Sequence, residues 1–256
     1  MIENMILVVA GTFDGRKLAT YLKEKDIAVV ISVTSGYGGL LAEQSVDEVI
    51  VDRMTESDFT RLLRVNKIEA VVDASHPYAV KVSENIMRAA HANSIKYIRY
   101  ERKATVLPDY SKLYLVNSAI QAAEKAAQLG DTVFLATGSR TLQDFKNSEQ
   151  LKNKRVIVRI LPDASSLNLC IDLNILPKDI IAMQGPFSVE LNKAMFKDCN
   201  AEVIVTKDGG ITGGMDSKMA AAMQLGLSVV MIKRPTIEYG NVTNSFEKIY
   251  DFIKGE

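Results

Sequence analysis

Hydrophobic residues in this chain fall in short unbroken runs, each followed by a polar turn and then by apolar residues at helical spacing. Met5-Ile-Leu-Val-Val9 opens the series. A run of that length without alternation reads as a strand covered on both faces, as in a parallel sheet. It stops at Gly11 in Gly11-Thr-Phe-Asp-Gly-Arg16. From about Asp14, Leu18, Ala19 and Leu22 fall on one side of a helix and Arg16, Lys17, Lys23 and Glu24 elsewhere. Ile27 to Val33 is the next strand, leading into the glycine-rich loop Thr34-Ser-Gly-Tyr-Gly-Gly39. Glu48-Val-Ile-Val51 is a short third strand. Residues 55–66 form an amphipathic helix with Thr55 as N-cap and Phe59, Leu62 and Leu63 facing inwards. Ala70-Val-Val-Asp-Ala-Ser-His-Pro-Tyr-Ala79 is a further buried strand entering a helix. Ser75 or His76 stands near the cap, Pro77 at the first helical position and His91 late in that helix.

Tyr97-Ile-Arg-Tyr100 closes the first half. Glu101 to Ser111, charged and containing Pro108, reads as a linker, which divides the chain into an N-terminal domain 1–104 and a C-terminal domain 105–256. The second series has a helix over 117–129 and strands at Thr132–Ala136, Arg155–Ile160, Asp179–Met183, Glu202–Val205 and Ser228–Ile232. Helices ending near Lys197 and Leu225 lie between the later strands, and a last amphipathic helix covers about 243–254. Strand and helix alternate throughout, so the fold class is α/β with mainly parallel sheets.

Composition narrows the function classes. Lys plus Arg equals Asp plus Glu at 31 each, so no global basic field attracts nucleic acid or an anionic membrane. Any anionic ligand must be met locally. Met-Ile-Glu-Asn at the start carries an acid where a signal peptide carries positive charge, and no apolar run approaches a membrane span, so a cytoplasmic protein is expected. Cys170 and Cys199 stand apart with no second ligand pair, which fits small apolar residues better than a bridge or metal site. A monomer and a small homo-oligomer both remain open.

The candidate chemistry lies in the turns. Strand, glycine turn and helix N-terminus aim unpaired backbone N–H groups at one spot, a phosphate site by geometry and dipole. At the first turn Gly11, Thr12, Phe13, Asp14, Gly15 and Arg16 would hold a nucleotide pyrophosphate. The motif lacks the third glycine of the full dinucleotide fingerprint, so an ordinary strand–helix turn would explain it too. The second loop offers Ser32, Thr34, Ser35 and Tyr37 with no acid until Glu43, which suits a 2′-phosphate and hence NADPH rather than NADH. His76, at the carboxyl end of its strand, could donate a hydrogen bond or a proton; turn-ordering is the alternative role. In the second half the loops Thr137-Gly-Ser-Arg140, Gln184-Gly-Pro-Phe-Ser188 and Thr206-Lys-Asp-Gly-Gly-Ile-Thr-Gly-Gly214 end on one sheet edge. That edge joins Arg140 and Lys207 to clustered N–H groups, an arrangement for a ligand with several carboxylates or phosphates.

Six of these stretches, in order, resemble the precorrin-6A reductase family of cobalamin biosynthesis, including its cobalt-precorrin-6A reductases. They are G-T-F-D-G-R (11–16), S-V-T-S-G-Y-G (32–38), D-A-S-H-P-Y-A (73–79), T-G-S-R (137–140), I-A-M-Q-G-P-F-S (181–188) and T-K-D-G-G (206–210). The resemblance implies two Rossmann-like domains with an interdomain cleft, and an oxidoreductase acting on a CH–CH group with NADPH. The reaction implied is reduction of the C18=C19 double bond of precorrin-6A, or of its cobalt form, to precorrin-6B. Ser75, His76 and Pro77 then face the nicotinamide, with His76 or a positioned water as proton donor. Thr137, Gly138, Ser139, Arg140, Gln184, Gly185, Ser188, Lys207, Gly209, Gly210, Gly213 and Gly214 form the macrocycle side. No metal site is expected. Two other readings fit the residues less well. A short-chain dehydrogenase needs Tyr-x-x-x-Lys, but Tyr78-Ala-Val-Lys81 is one residue too close. A non-catalytic NADP(H) sensor accounts for the first hundred residues and leaves the three later glycine loops unused.

Overall fold

The computed structural model describes residues 5–46, 48–103, 106–210 and 213–255. The N-terminal Met1–Asn4, two residues of the expected linker (Ala104, Thr105) and Ile211-Thr212 of the last glycine loop lie outside them.

The first half forms β1 (Met5–Ala10), α1 (Phe13–Lys23), β2 (Ala28–Val33), α2 (Gly36–Ala42), β3 (Glu48–Val51), α3 (Glu56–Val65), β4 (Ile68–Ala74), α4 (Val80–Ala92) and β5 (Lys96–Tyr100). The second contains β6 (Leu113–Val116), α5 (Ala119–Leu129), β7 (Thr132–Leu135), α6 (Leu142–Lys146), β8 (Arg155–Ile160), α7 (Ala164–Asp172) and β9 (Ile180–Ala182). It continues with α8 (Val189–Asp198), β10 (Val203–Lys207), α9 (Met215–Gln224) and β11 (Ser228–Ile232). The chain ends in β12 (Val242–Thr243) and α10 (Phe246–Lys254).

Two six-stranded sheets result, ordered β12-β5-β4-β1-β2-β3 and β6-β11-β10-β7-β8-β9. Every strand pair is parallel. Read from β3, the first sheet has the doubly wound order 3-2-1-4-5 with a sixth strand added, and read from β9 the second repeats it. The sixth strand differs in origin: the chain's tail supplies β12, whereas β6 precedes the rest of its unit. The order reverses between β1 and β4 in one sheet and between β7 and β10 in the other. At such a switch point neighbouring loops leave in opposite directions and open a crevice.

β1 shows why its apolar run is unbroken. Ile6 and Val8 point to a layer holding Leu18, Leu22 and Ile249, while Leu7 and Val9 point to Phe59, Leu63 and Ile86. Both faces are covered, so alternation would bury polar groups without partners. α3 starts as expected, with Thr55 accepting from the Asp58 N–H and Asp58 returning the bond to the Thr55 N–H.

Four expectations are corrected. The chain divides into one unit of residues up to Lys103 together with those from Pro235 on, and another ending at Arg234. The tail therefore belongs to the first unit, not to a C-terminal domain running to 256. β12 pairs with β5, and Ile249 is fully buried in the first unit's core with Phe246 and Tyr250 packed around it. The loop 34–39 is largely helix: Ser35 caps α2, and Gly39 sits where a Cβ would lie 2.6 Å from a Val51 methyl. Pro77 is not the first residue of α4; residues 76–79 make a turn closed by Ala79 N–H to His76 O, and α4 starts at Val80 without a side-chain cap. Finally, Ser32 is not a loop residue but a buried member of β2, paired in register with Val9.

Replacing Ile249 by Ala should cost about 2–5 kcal/mol of unfolding free energy. Hydrogen exchange should rise in β5 and α1 and stay at the wild-type level across β7, β8 and β10. Increased exchange in the second unit instead would contradict the assignment of the tail.

Candidate active site

At the switch point of the first unit, β1 ends in Gly11 and α1 begins behind it. Thr12 caps the helix, accepting from the Gly15 N–H at 3.2 Å. Gly15 is buried under the crossing, where a Cβ would lie 2.9 Å from the Ala10 Cβ and 3.2 Å from the Ala74 carbonyl. Its lack of a side chain lets α1 settle over β1 and β4. Gly11 has a different environment: a Cβ there would meet nothing within 4 Å. The space before its backbone is open, as a turn that receives a ligand requires. Asp14 would repel a phosphate at this helix end, but its carboxylate is paired with Arg102 at 3.2 Å. It acts as a neutralised partner rather than a phosphate ligand. Arg16 and Lys17 lie over the half-exposed Phe13 ring at 5.9 and 4.7 Å, which gathers positive charge beside the turn. Along the second loop Ser35 is occupied as the α2 cap, Thr34 is half-buried and Tyr37 is exposed.

Across the switch point, β4 ends in a buried polar network. Asp73 and Arg99 face each other in register on β4 and β5, joined at 2.8 Å with both side chains almost wholly buried. Arg99 also binds Glu101 at 2.8 Å and donates to Ser75 Oγ at 3.0 Å. Asp73 accepts from the Ser75 N–H at 3.0 Å and from the Tyr97 hydroxyl at 2.9 Å. Burial opposes the guanidinium's charge, but Asp73 and Glu101 outweigh it and hold Arg99 above its usual range. Burial and Asp73 together push the Tyr97 hydroxyl up, so it stays protonated and keeps donating. Ser75, expected at the nicotinamide, is thus tied inside this network; it sets the turn's path from beneath. Pro77 is also buried. His76 is only half-buried. Its Nδ1 accepts from the Tyr78 N–H at 3.3 Å, which assigns the proton of the neutral ring to Nε2.

In the second unit, Thr137 follows β7 and Lys207 ends β10, on the two sides of the other switch point. Lys207 Nζ donates to the Thr137 carbonyl at 3.1 Å and so ties the two loops together. Burial and the neighbouring Arg140 push Lys207 down to about 8, with Asp144 opposing. Thr141 donates to the Thr137 hydroxyl, and Ser139 shares a bond with Ser166 on α7. Gly138 has φ +75° and Gly210 φ +72°, left-handed conformations that a side chain would strain. Asp208 and Arg234 form an ion pair at 3.1 Å, and Asp208 accepts from the Gly210 N–H. Gln184 and Gly185 are exposed, and so is Ser188, which caps α8 by accepting from the Leu191 N–H.

The structure brings Gly138, Gly185, Gly213 and Gly214 to a single cavity of about 280 Å³ at the carboxyl edge of the second sheet. Arg159 and Lys218 line it as well, and sequence reasoning missed both. Arg159 lies inside a run read only as a strand. Its signal was a charge placed where a doubly covered strand should be apolar. Among the described residues no three His, Cys, Asp or Glu side chains gather as a metal site, and no helix is long and apolar enough to cross a membrane. Both cysteines are free thiols.

The chain matches the family model described as precorrin-6x reductase CbiJ/CobK over residues 5–254. It is 38% identical over 246 residues to the cobalt-precorrin-6A reductase of Priestia megaterium, covering 96% of each chain. To that of Methanothermobacter thermautotrophicus it is 34% identical, over 97% of this chain and 84% of the relative. Among solved structures it is similar to a CobK precorrin-6A reductase, with a TM-score of 0.82, 22% identity, and 98% and 97% of the two chains covered. That last likeness speaks for the fold.

Two outcomes are expected. Replacing Asp73 by Ala leaves Arg99 buried with one carboxylate fewer and should cost about 3–5 kcal/mol in denaturant unfolding. An Asp73 variant as stable as wild type would mean the network contributes nothing. The second concerns Lys207. A lysine lowered from 10.5 to about 8 is deprotonated in the folded state and protonated in the unfolded state between those values. Protons are then released on folding, so stability rises with pH across that window. Against a Lys207→Met variant, the wild type should gain in melting temperature as pH goes from 8 to 10.5. A constant difference would contradict the shift.

Proposed function

The chain belongs to the precorrin-6x reductase family, and from that membership we propose that it reduces the C18=C19 double bond of cobalt-precorrin-6A with NADPH, giving cobalt-precorrin-6B in the cytoplasm. The family assignment makes it an oxidoreductase of cobalamin biosynthesis. The observation that carries the reading is the match over 5–254, which takes in both units and both switch points. A sensor that only bound dinucleotide would need the first unit alone. The cobalt form is favoured because the relatives named here at 34% identity and above act, by their names, on the cobalt substrate. Precorrin-6A reductases of Rhodococcus erythropolis and Mycobacterium tuberculosis are 28% identical.

The first turn fits the cofactor's phosphates on its own geometry. Open space lies before Gly11, the N-terminal N–H groups of α1 stand behind it, Arg16 supplies positive charge and Arg102 cancels Asp14. Thr34, Ser35 and Tyr37 would lie toward the adenosine end, where the absence of an acid before Glu43 admits a 2′-phosphate. NADPH, when bound, supplies a hydride to one carbon of the double bond. The protein's part is to hold the reacting groups, exclude water and deliver a proton to the other carbon. His76 is the side chain we assign to proton delivery: its Nε2–H, in the neutral tautomer, would hold by hydrogen bond the water that relays the proton. Ser75 and Pro77 act beneath it by fixing the turn. On the second unit Lys207, Arg140 and the glycine turns present positive charge and N–H groups to the carboxylate arms of the macrocycle.

NADPH absorbance is followed with purified protein given cobalt-precorrin-6A or, separately, precorrin-6A. Consumption with the cobalt form, and none with NADH, is expected. NADPH binding without consumption on either substrate would overturn the reductase and leave the sensor.

A further inference from the structure

The second unit holds a larger hollow, of about 440 Å³, on the face of its sheet away from α8 and α9. Alternation along the strands separates the two sides. Phe134 and Ile157 pack into the core with Phe196 and Met219, whereas their neighbours Leu135, Val156 and Val158 line the hollow. Leu142, Phe145 and Leu151 complete an apolar floor. The hollow exists because the helix over it is short: α6 has five residues, about 7.5 Å of helix, against about 20 Å of strand in β8. On the other side α7 stops at Asp172, and Asn174, at φ +53°, begins the turn whose Ile175 and Leu176 form a further wall.

Positive charge surrounds this floor. Lys146, Lys152, Lys154, Arg155 and Lys178 line the hollow, against one carboxylate, Asp179. Arg155 neutralises that carboxylate at 2.8 Å and donates to the Cys199 carbonyl at 3.0 Å. Lys154 is paired with Asp131 and Lys152 with Glu149, neither of which lines the hollow. Lys146, at the end of α6, and Lys178, just before β9, are exposed and have no carboxylate partner among the described residues. Two unpaired ammonium groups therefore stand over an apolar floor with no uncompensated acid. Lys154 and Lys178 precede β8 and β9, so this charge lies at the amino edge of the sheet, opposite the glycine turns.

We propose that the hollow binds a small amphipathic anion, an alkyl-chain carboxylate whose apolar body lies on Phe145, Val156 and Val158 and whose head meets Lys146 and Lys178. Its volume falls within the roughly 300–1,000 Å³ that encloses a small ligand. A bare inorganic anion would leave the floor in water, and a neutral hydrocarbon would leave the two lysines unpaired; the chain with a charged head satisfies both. The site is distinct from both switch points and does not rest on the reductase reading.

Calorimetry on the whole protein tests this. Decanoate, octanoate and decanol are titrated into wild type and three variants. The first is Lys146→Glu combined with Lys178→Glu, which leaves the core untouched because both lysines are exposed. The second, Val156→Phe, fills the hollow from its floor. The third, Lys193→Glu, is a control on α8, across the sheet. Decanoate should bind wild type about tenfold more tightly than octanoate, the effect of two further buried methylenes. It should also bind about tenfold more tightly than decanol, which keeps the body and lacks the charge. The double variant should weaken decanoate by about tenfold and leave decanol unchanged, while Val156→Phe should weaken both and the control should match wild type. Bound decanoate should slow hydrogen exchange in β8 and α6 and leave β1 and β4 as they were. Equal decanoate affinity in wild type and the double variant overturns the site. So does decanol binding as tightly as decanoate, or protection confined to the first unit.

Discussion

The Asp73–Arg99 pair is the interaction on which the first unit's functional edge depends. Two opposite charges in register on neighbouring strands, almost without solvent, are tolerable only if each is hydrogen bonded to capacity. The structure meets that demand by drawing in Tyr97, Ser75 and Glu101, with the Tyr239 ring stacked 4.9 Å from the guanidinium carbon. The backbone leaving β4 at Ser75 is held by the same carboxylate that holds Arg99. A turn carrying a half-buried histidine thus rests on a rigid ionic base, and Tyr239, from the tail, ties that base to the last segment of the chain.

The two sheets reach one strand order by different chain paths, and the order decides where ligands can bind. Crevices form where successive connections leave a sheet in opposite directions, and each reversal lies beside a strand that ends in a glycine turn, β1 in the first sheet and both β7 and β10 in the second. The chemistry of the two crevices differs. In the first, open space before Gly11 and a paired Asp14 suit a phosphate group met by backbone N–H. In the second, Lys207 ties the two switch-point loops together, Arg159 and Lys218 line the adjoining cavity, and burial lowers the pKa of all three.

Much of this was legible in the sequence because parallel sheets leave strong marks. Met5–Val9 had to be a doubly covered strand, and Gly11 to Arg16 had to be its turn into a helix. Local rules failed where tertiary contacts overrode them. Gly36, Gly38 and Gly39 read as a loop, but the Ser35 cap and the close approach to Val51 pay for a helix there. Pro77 read as a helix start, yet it is buried inside the turn that precedes α4. β12 has only two residues and no periodicity to detect; its existence depends on β5 offering an open edge. Arg159 and Lys218 were hidden because a charge in a strand or helix reads as surface unless its burial is known. For the tail, proximity along the chain suggested the second domain, whereas the apolar face of α10 found its complement in the first.

The path of the tail also sets an order of completion during synthesis. The second unit is a continuous stretch ending at Arg234, so every strand of its sheet is present once β11 has been made. The first unit starts earlier and must wait longest, with β5 exposed as an unpaired edge and the hollow around Ile249 unfilled until the last residues emerge. The half of the molecule that is translated first is therefore the half that can be finished last.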